Sequence, residues 1–142
     1  MRFPRLALLA LLALSGAPGA AAPEPDIVVR GGIERAEIER ILAADNVDTS
    51  RLSESEVADI VARVERGRAP LDFWLAYRAH VRAWERLADA TERASQGESL
   101  FKAEEVVKAE QAIESTFDEV ERIARAYGAR LPVPAWSVPP TV

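Results

Sequence analysis

The sequence predicts an all-α protein: a long antiparallel helical hairpin, about 70–95 and 100–127, covered by two short N-terminal helices, about 33–44 and 54–66. Three observations carry that four-helix expectation. Apolar residues recur at steps of three and four through the second half of the chain, which is the helical period and not the alternation of a half-buried strand. Glycine and proline punctuate the periodic stretches, at Gly67, Pro70, Gly97, Gly128, Pro132 and Pro134. The 142-residue chain has no cysteine, so the fold must hold by packing and not by disulfides.

Residues 1–22 read as a cleaved signal peptide. Arg2 and Arg5 give a positive start, Leu6 to Leu14 is an unbroken apolar run, and Ala20-Ala21-Ala22 offers the small residues that a peptidase accepts. The run is about half of the roughly 20 residues that a bilayer-spanning helix needs. The cut falls between Gly19 and Pro23, and no cysteine follows it to receive a lipid. The expectation is a periplasmic or secreted chain with no integral membrane span after signal removal and no lipid anchor. Residues 23–32 read as a flexible linker: prolines 23 and 25 favour extended geometry, and Ile27-Val28-Val29 is a short β-prone run ended by Gly31-Gly32.

A single helical domain is expected over 33–130. Ile33, Ile38, Ile41 and Leu42 give the first helix its apolar stripe. Ser53 with Glu56 three residues later is a capping box, and Val57, Ile60, Val61 and Val64 line one face of the second helix, which Gly67 stops. Pro70 suits the start of the third helix, where a missing amide costs nothing. Two adjacent seams run along that helix, Trp74-Tyr77-Val81-Trp84-Ala88 and Phe73-Tyr77-His80-Trp84-Leu87, together wider than one partner helix covers. Burying such side chains contributes about 1.5–3 kcal/mol each, so the short helices are recruited as a cover. The fourth helix carries Val106, Ala109, Ile113, Thr116 or Phe117, Val120, Ile123 and Tyr127, and Gly128 ends it. Residues 131–142 form a proline-rich tail that contains Trp136.

Gln96-Gly97-Glu98 is the break between the long helices, so they fold back antiparallel. A turn centred on Gly97 sets Arg86 opposite Glu110, Arg82 opposite Glu114 and Arg78 opposite Asp118. Exposed pairs of this kind are worth about 0–1 kcal/mol each, so they select alignment more than they add stability.

The whole chain carries 18 basic and 23 acidic side chains, a formal charge of −5. Loss of Arg2 and Arg5 with the signal leaves 16 against 23, or −7. A surface of that sign repels phosphate backbones and anionic headgroups, so nucleic acid is not an expected partner.

Residues 45–56 resemble an EF-hand calcium loop. Asp45 stands at the first ligand position, Leu52 at the apolar eighth, Ser53 at the ninth and Glu56 at the bidentate twelfth; Asp48 adds a nearby carboxylate. Calcium takes six to eight oxygens, and here Val47 fills position three and Ser50 the position of the turn glycine. The resemblance implies at most a weak, degenerate calcium site through Asp45, Asp48 and Glu56, and a helix cap explains Ser53 and Glu56 without a metal. His80 is the only histidine and lacks the Glu three residues earlier that bundle metal sites use, so it reads as packed beside Trp84. No nucleophile, base and oxyanion donor can be assembled from the pattern, and no enzyme or cofactor is expected. Phe73 and Trp74 are candidate protein-binding residues, because aromatic side chains dominate contact hot spots, although they serve equally as core. The leading expectation is a non-enzymatic interaction or accessory module that works through a protein partner or self-association; the alternative is the divalent-cation binder.

Overall fold

The computed structural model describes residues 25–96 and 101–135. Among them are four helices, α1 (Pro25–Asp45), α2 (Glu54–Ala62), α3 (Leu71–Ser95) and α4 (Phe101–Ala126), with a 3₁₀ turn at Thr49–Arg51 between α1 and α2. The signal segment, the expected turn at Gly97 and Trp136 lie outside the described residues.

Helices α3 and α4 pack along their length as a hairpin, and α2 lies against α3. Their registry follows the expected alignment without its charge pairs. His80 meets Thr116, and Arg93 meets Glu105 at 3.6 Å, but among the described residues no ion pair joins Arg78, Arg82 or Arg86 to α4. Arg78 instead sits 6.0 Å over the Trp74 ring. Side-chain packing therefore sets the alignment, as the small worth of exposed pairs would suggest.

One core joins all four helices. Ile38, Ile41 and Leu42 of α1, Val57 and Val61 of α2, Phe73, Tyr77 and Val81 of α3, and Val120, Ile123 and Ala124 of α4 are buried together. The seam through Phe73, Tyr77, His80 and Leu87 is the deeper of the two on α3, and Trp74 and Trp84 lie half-buried at its flank. Tyr77 stacks between Phe73, with ring centroids 6.5 Å apart, and Trp74, at 5.6 Å. The α3 face is covered from two sides, as its width requires.

Helix ends follow local chemistry. Ser53 accepts from the Glu56 amide while Glu56 accepts from the Ser53 amide, the reciprocal capping box. α4 closes with Ala129 N–H donating to the Ala124 carbonyl and Gly128 N–H to Arg125, a Schellman motif with Gly128 at φ +70°. Two boundaries differ from the sequence reading. α1 begins at Pro25 and runs through the stretch read as a linker. A proline in a first turn loses no hydrogen bond, and β-branched residues disfavour a helix by only a few tenths of a kcal/mol each. α2 ends at Ala62, before Gly67. Gly67 takes φ +55° in a separate turn where a Cβ would collide with the Glu37 carboxylate. Arg40 Nη2 donates to the Glu65 carbonyl at 2.7 Å and holds that turn against α1.

Beyond α4 the tail lies back across the end of α1. Arg130 N–H donates to Glu39, and the Asn46 amide clamps the strap from both sides, donating to the Val133 carbonyl and accepting from Ala135 N–H. Among the described residues no helix is long and apolar enough to cross a membrane.

Candidate functional site

The last residue of α1 is Asp45, and its place on that helix follows from spacing. Ile38, Ile41, Leu42 and Asp45 stand at i, i+3, i+4 and i+7, one face of a helix, so burying the three apolar residues carries the carboxyl inward with them. Its side chain is 8% exposed, and its Oδ1 is the one buried side-chain polar atom without a hydrogen-bond partner among the described residues. Burial pushes its pKa up from 3.8 to about 6, and the nearby Tyr77 hydroxyl offsets part of that rise. The C-terminal end of α1 is also the negative end of that helix, a poor place for an anion.

Facing Asp45 across the core is His80 of α3, whose Nε2 lies 3.8 Å from Asp45 Oδ2 and whose side chain is 3% exposed. Hydrogen-bond polarity fixes the tautomer. Trp84 Nε1–H can only donate, and it reaches His80 Nε2 at 3.1 Å, so Nε2 is the acceptor and Nδ1 carries the proton. Nδ1 then donates to Thr116 Oγ1 at 3.2 Å, and the Thr116 hydroxyl passes its own proton to the Ala112 carbonyl at 2.6 Å. Desolvation holds the imidazole down to about 4, so it is neutral across the physiological range. Tyr77, one turn before His80, donates to the Val61 carbonyl at 3.1 Å; burial, with the nearby Asp45 charge, pushes its phenol well above the usual range.

Asp45, His80 and Thr116 together superficially suggest a charge-relay array, but the protons run the wrong way. A nucleophilic hydroxyl must give its proton to the imidazole, whereas here the imidazole gives one to the hydroxyl. What the arrangement offers is a chain of hydrogen bonds beside which one oxygen of Asp45 is left without a partner.

That cluster forms part of the wall of a cleft of about 480 Å³ between the α1 end, α3, α4 and the strap. Leu42, Trp84, Ile113, Phe117 and Leu131 make its walls largely apolar. The α4 residues Glu114, Asp118 and Glu121 add three further carboxyls, and no lysine or arginine is among the described residues that line it. The Phe117 ring lies 5.1 Å from the His80 ring and closes the cluster from the α4 side.

The residues singled out in the sequence fall elsewhere or serve otherwise. Asp48 caps the 3₁₀ turn by accepting from Ser50 N–H, Glu56 is held in the capping box, and Asp45 faces the core. Hydrogen bonds to Ser50 and Ser53 hold the Asp48 and Glu56 carboxyls below their usual range. The three are thus not gathered, and among the described residues no group of three His, Cys, Asp or Glu side chains is placed to hold a metal. Phe73 is fully buried and Trp74 half-buried under Arg78, so Phe73 is core in this fold. Sequence reading missed the burial of Asp45, although its place on the Ile38-Ile41-Leu42 stripe was the available signal. No protein-family model, curated protein or solved structure matches the chain.

Proposed function

We propose that this chain is an exported, non-enzymatic accessory module that acts by contact, and that the cleft beside Asp45 is where its ligand or partner seats. The carrying observation is the Asp45 carboxyl, covered by protein, unpartnered at one oxygen and set in the wall of a largely apolar cleft. Buried polar groups are almost always satisfied, and leaving one unmet costs about 1–3 kcal/mol, so an unsatisfied carboxyl behind the cleft wall marks this end of the core as kept for a role other than stability. The volume is within the roughly 300–1,000 Å³ of ligand sites, and apolar walls with a few polar groups are their usual composition. The reversed proton order at His80 and Thr116 supports binding over hydrolysis, and the N-terminal leader supports action in the periplasm or the medium.

A fragment set with cationic, neutral and anionic members, titrated into labelled protein, tests the reading by chemical-shift mapping. Shifts should concentrate at the Trp84 indole N–H, the His80 ring and the Ile113 methyls. If fragments of every charge leave those signals still, or gather instead on the exposed Leu71 and Leu75 face, the cleft is not the contact site.

A further inference from the structure

We infer that the strap over residues 130–135 is an acid-latched lid, which lies closed over the cleft while Asp45 is protonated and lifts more readily once Asp45 carries charge. As a control on access it rests on the reading of the cleft as the contact site. The opening itself belongs to the free chain, so the two readings fail separately.

The strap is held by side chains and not by a helix or a ladder. Arg130 N–H donates to the Glu39 carboxylate, and the Asn46 amide holds both the Val133 carbonyl and the Ala135 N–H. Prolines 132 and 134 have no amide proton to add, and Val133 is 67% exposed. The end of α4 is secured separately, by Ala129 N–H on the Ala124 carbonyl with Gly128 at φ +70°. The strap therefore lifts from a fixed point just past that cap. Segments with exposed hydrogen bonds and few buried contacts open at a small fraction of the global unfolding free energy.

What lies beneath gives the opening its trigger. Leu131, Pro132 and Pro134 close the cleft whose inner wall holds Asp45, and the clamp residue Asn46 follows Asp45 directly in the chain. Asp45 Oδ1 is fully covered and unpartnered, at the negative end of α1. The Tyr77 hydroxyl beside the carboxyl offsets only part of the cost of charging it, and burial pushes the group up to about 6. Water that reaches the carboxyl when the strap lifts removes that cost, so the charged form favours the open strap.

Linkage sets the sign. Closed, Asp45 titrates at about 6; hydrated, it returns toward 3.8. The closed state holds the proton more tightly, so closure is favoured most below about pH 4 and that advantage is lost as pH rises through 6. Full hydration corresponds to about a hundredfold in the opening equilibrium.

The other groups around Asp45 do not cancel this slope. His80 of α3 has both ring nitrogens bonded within α3 and α4, to Trp84 and Thr116, with the Phe117 ring 5.1 Å away. Those contacts do not involve the strap, so His80 stays covered and neutral above about 4 when the strap lifts. Tyr77, also of α3, is pushed well above the usual phenol range and stays neutral. From α4, Glu114 and Asp118 are exposed at the cleft and Glu121 is paired with Arg125. Helix α2 presents Val57 there, and the strap's own Arg130 is turned to Glu39. The Arg130 N–H holds Glu39 below the usual carboxylate range, so that tie weakens only in stronger acid.

Hydrogen exchange read by NMR on the intact chain tests the inference. The Ala135 and Arg130 amides report the strap once intrinsic base catalysis is divided out, and the Ala129 amide in the α4 cap is the reference. From about pH 4.5 to about pH 7.5 the opening equilibrium at Ala135 and Arg130 should rise at least about tenfold, with Ala129 unchanged. Asp45→Asn should leave it flat over the same span. Asn46→Ala should raise opening at the Arg130 amide by at least about fivefold at every pH, as two lost hydrogen bonds imply, and keep the slope. A corrected opening that is independent of pH in the native chain overturns the lid, and so does a slope that survives in Asp45→Asn. A rise shared equally by Ala129 overturns the strap as a separate unit. Should the strap open as described while no fragment moves the Trp84 indole signal, the opening stands and the contact site falls.

Discussion

Asp45 and His80 titrate against each other, and that opposition predicts how stability responds to acid. Burial raises the Asp45 pKa from 3.8 to about 6. Each pH unit of that shift is worth about 1.4 kcal/mol, so the ionised form costs about 3 kcal/mol in the folded state. The folded chain therefore binds this proton more tightly than the unfolded chain does. Its contribution favours folding below about pH 4 and is lost as pH rises through 6. His80 runs the other way. Its pKa falls from 6.5 to about 4, so the unfolded chain takes the proton first. Stability from this group rises by about 3 kcal/mol as pH goes from about 4 to about 6.5. In the native protein the two slopes nearly cancel, and this pair adds almost no pH dependence between about 4 and 6.

Single substitutions unmask them. Asp45→Asn should be about 3 kcal/mol more stable than the native chain above pH 7 and close to it at pH 4. His80→Gln should remove the rising limb, so that its stability falls by about 3 kcal/mol from pH 4 to pH 6.5. Chemical denaturation at half-unit pH steps measures both, and differences against the native chain cancel the exposed carboxylates. Parallel profiles for the native protein and Asp45→Asn would refute the burial argument. So would a native profile as steep as that of His80→Gln.

Two further outcomes follow from local geometry. Gly128 stands at φ +70° with open space around it. Gly128→Ala therefore meets only the left-handed backbone penalty and should cost roughly 1 kcal/mol or somewhat more. Gly67→Ala meets the same penalty at φ +55° and must also displace Glu37 from Arg40, so it should cost more. Thermal melts rank the two, and the reverse order would contradict the packing of the α2–α3 turn on α1. Phe73 is fully covered, whereas Leu75 is 59% exposed. Phe73→Ala should cost about 3–5 kcal/mol. Leu75→Ala should stay within about 0.5 kcal/mol of the native chain. Equal losses in urea titrations would mean that the two faces of α3 have been interchanged.

The helices were legible because each depends on contacts within a few residues. The capping box at Ser53 and Glu56, the proline before α3, the glycine after α4 and the step-of-three-and-four seams all act locally, and the structure holds each of them. The start of α1 was misread because β-branched residues and a glycine pair disfavour a helix only mildly, and such small local preferences do not decide an element's end. The Arg row opposite the acids of α4 was a true indication of registry but not of contact, since water competes well for exposed charges.

The carboxyl at the end of α1 marks where local reasoning stopped. By itself the sequence determined an all-α chain with a broad apolar face on α3, because helical period and helix ends are short-range properties. Which acid leaves water, which histidine tautomer forms and where a cleft opens depend on α1, α3, α4 and the strap meeting in space. Desolvation is a property of everything around a group. Residues far apart in the chain supply that surrounding, so only the folded structure could assign it to Asp45.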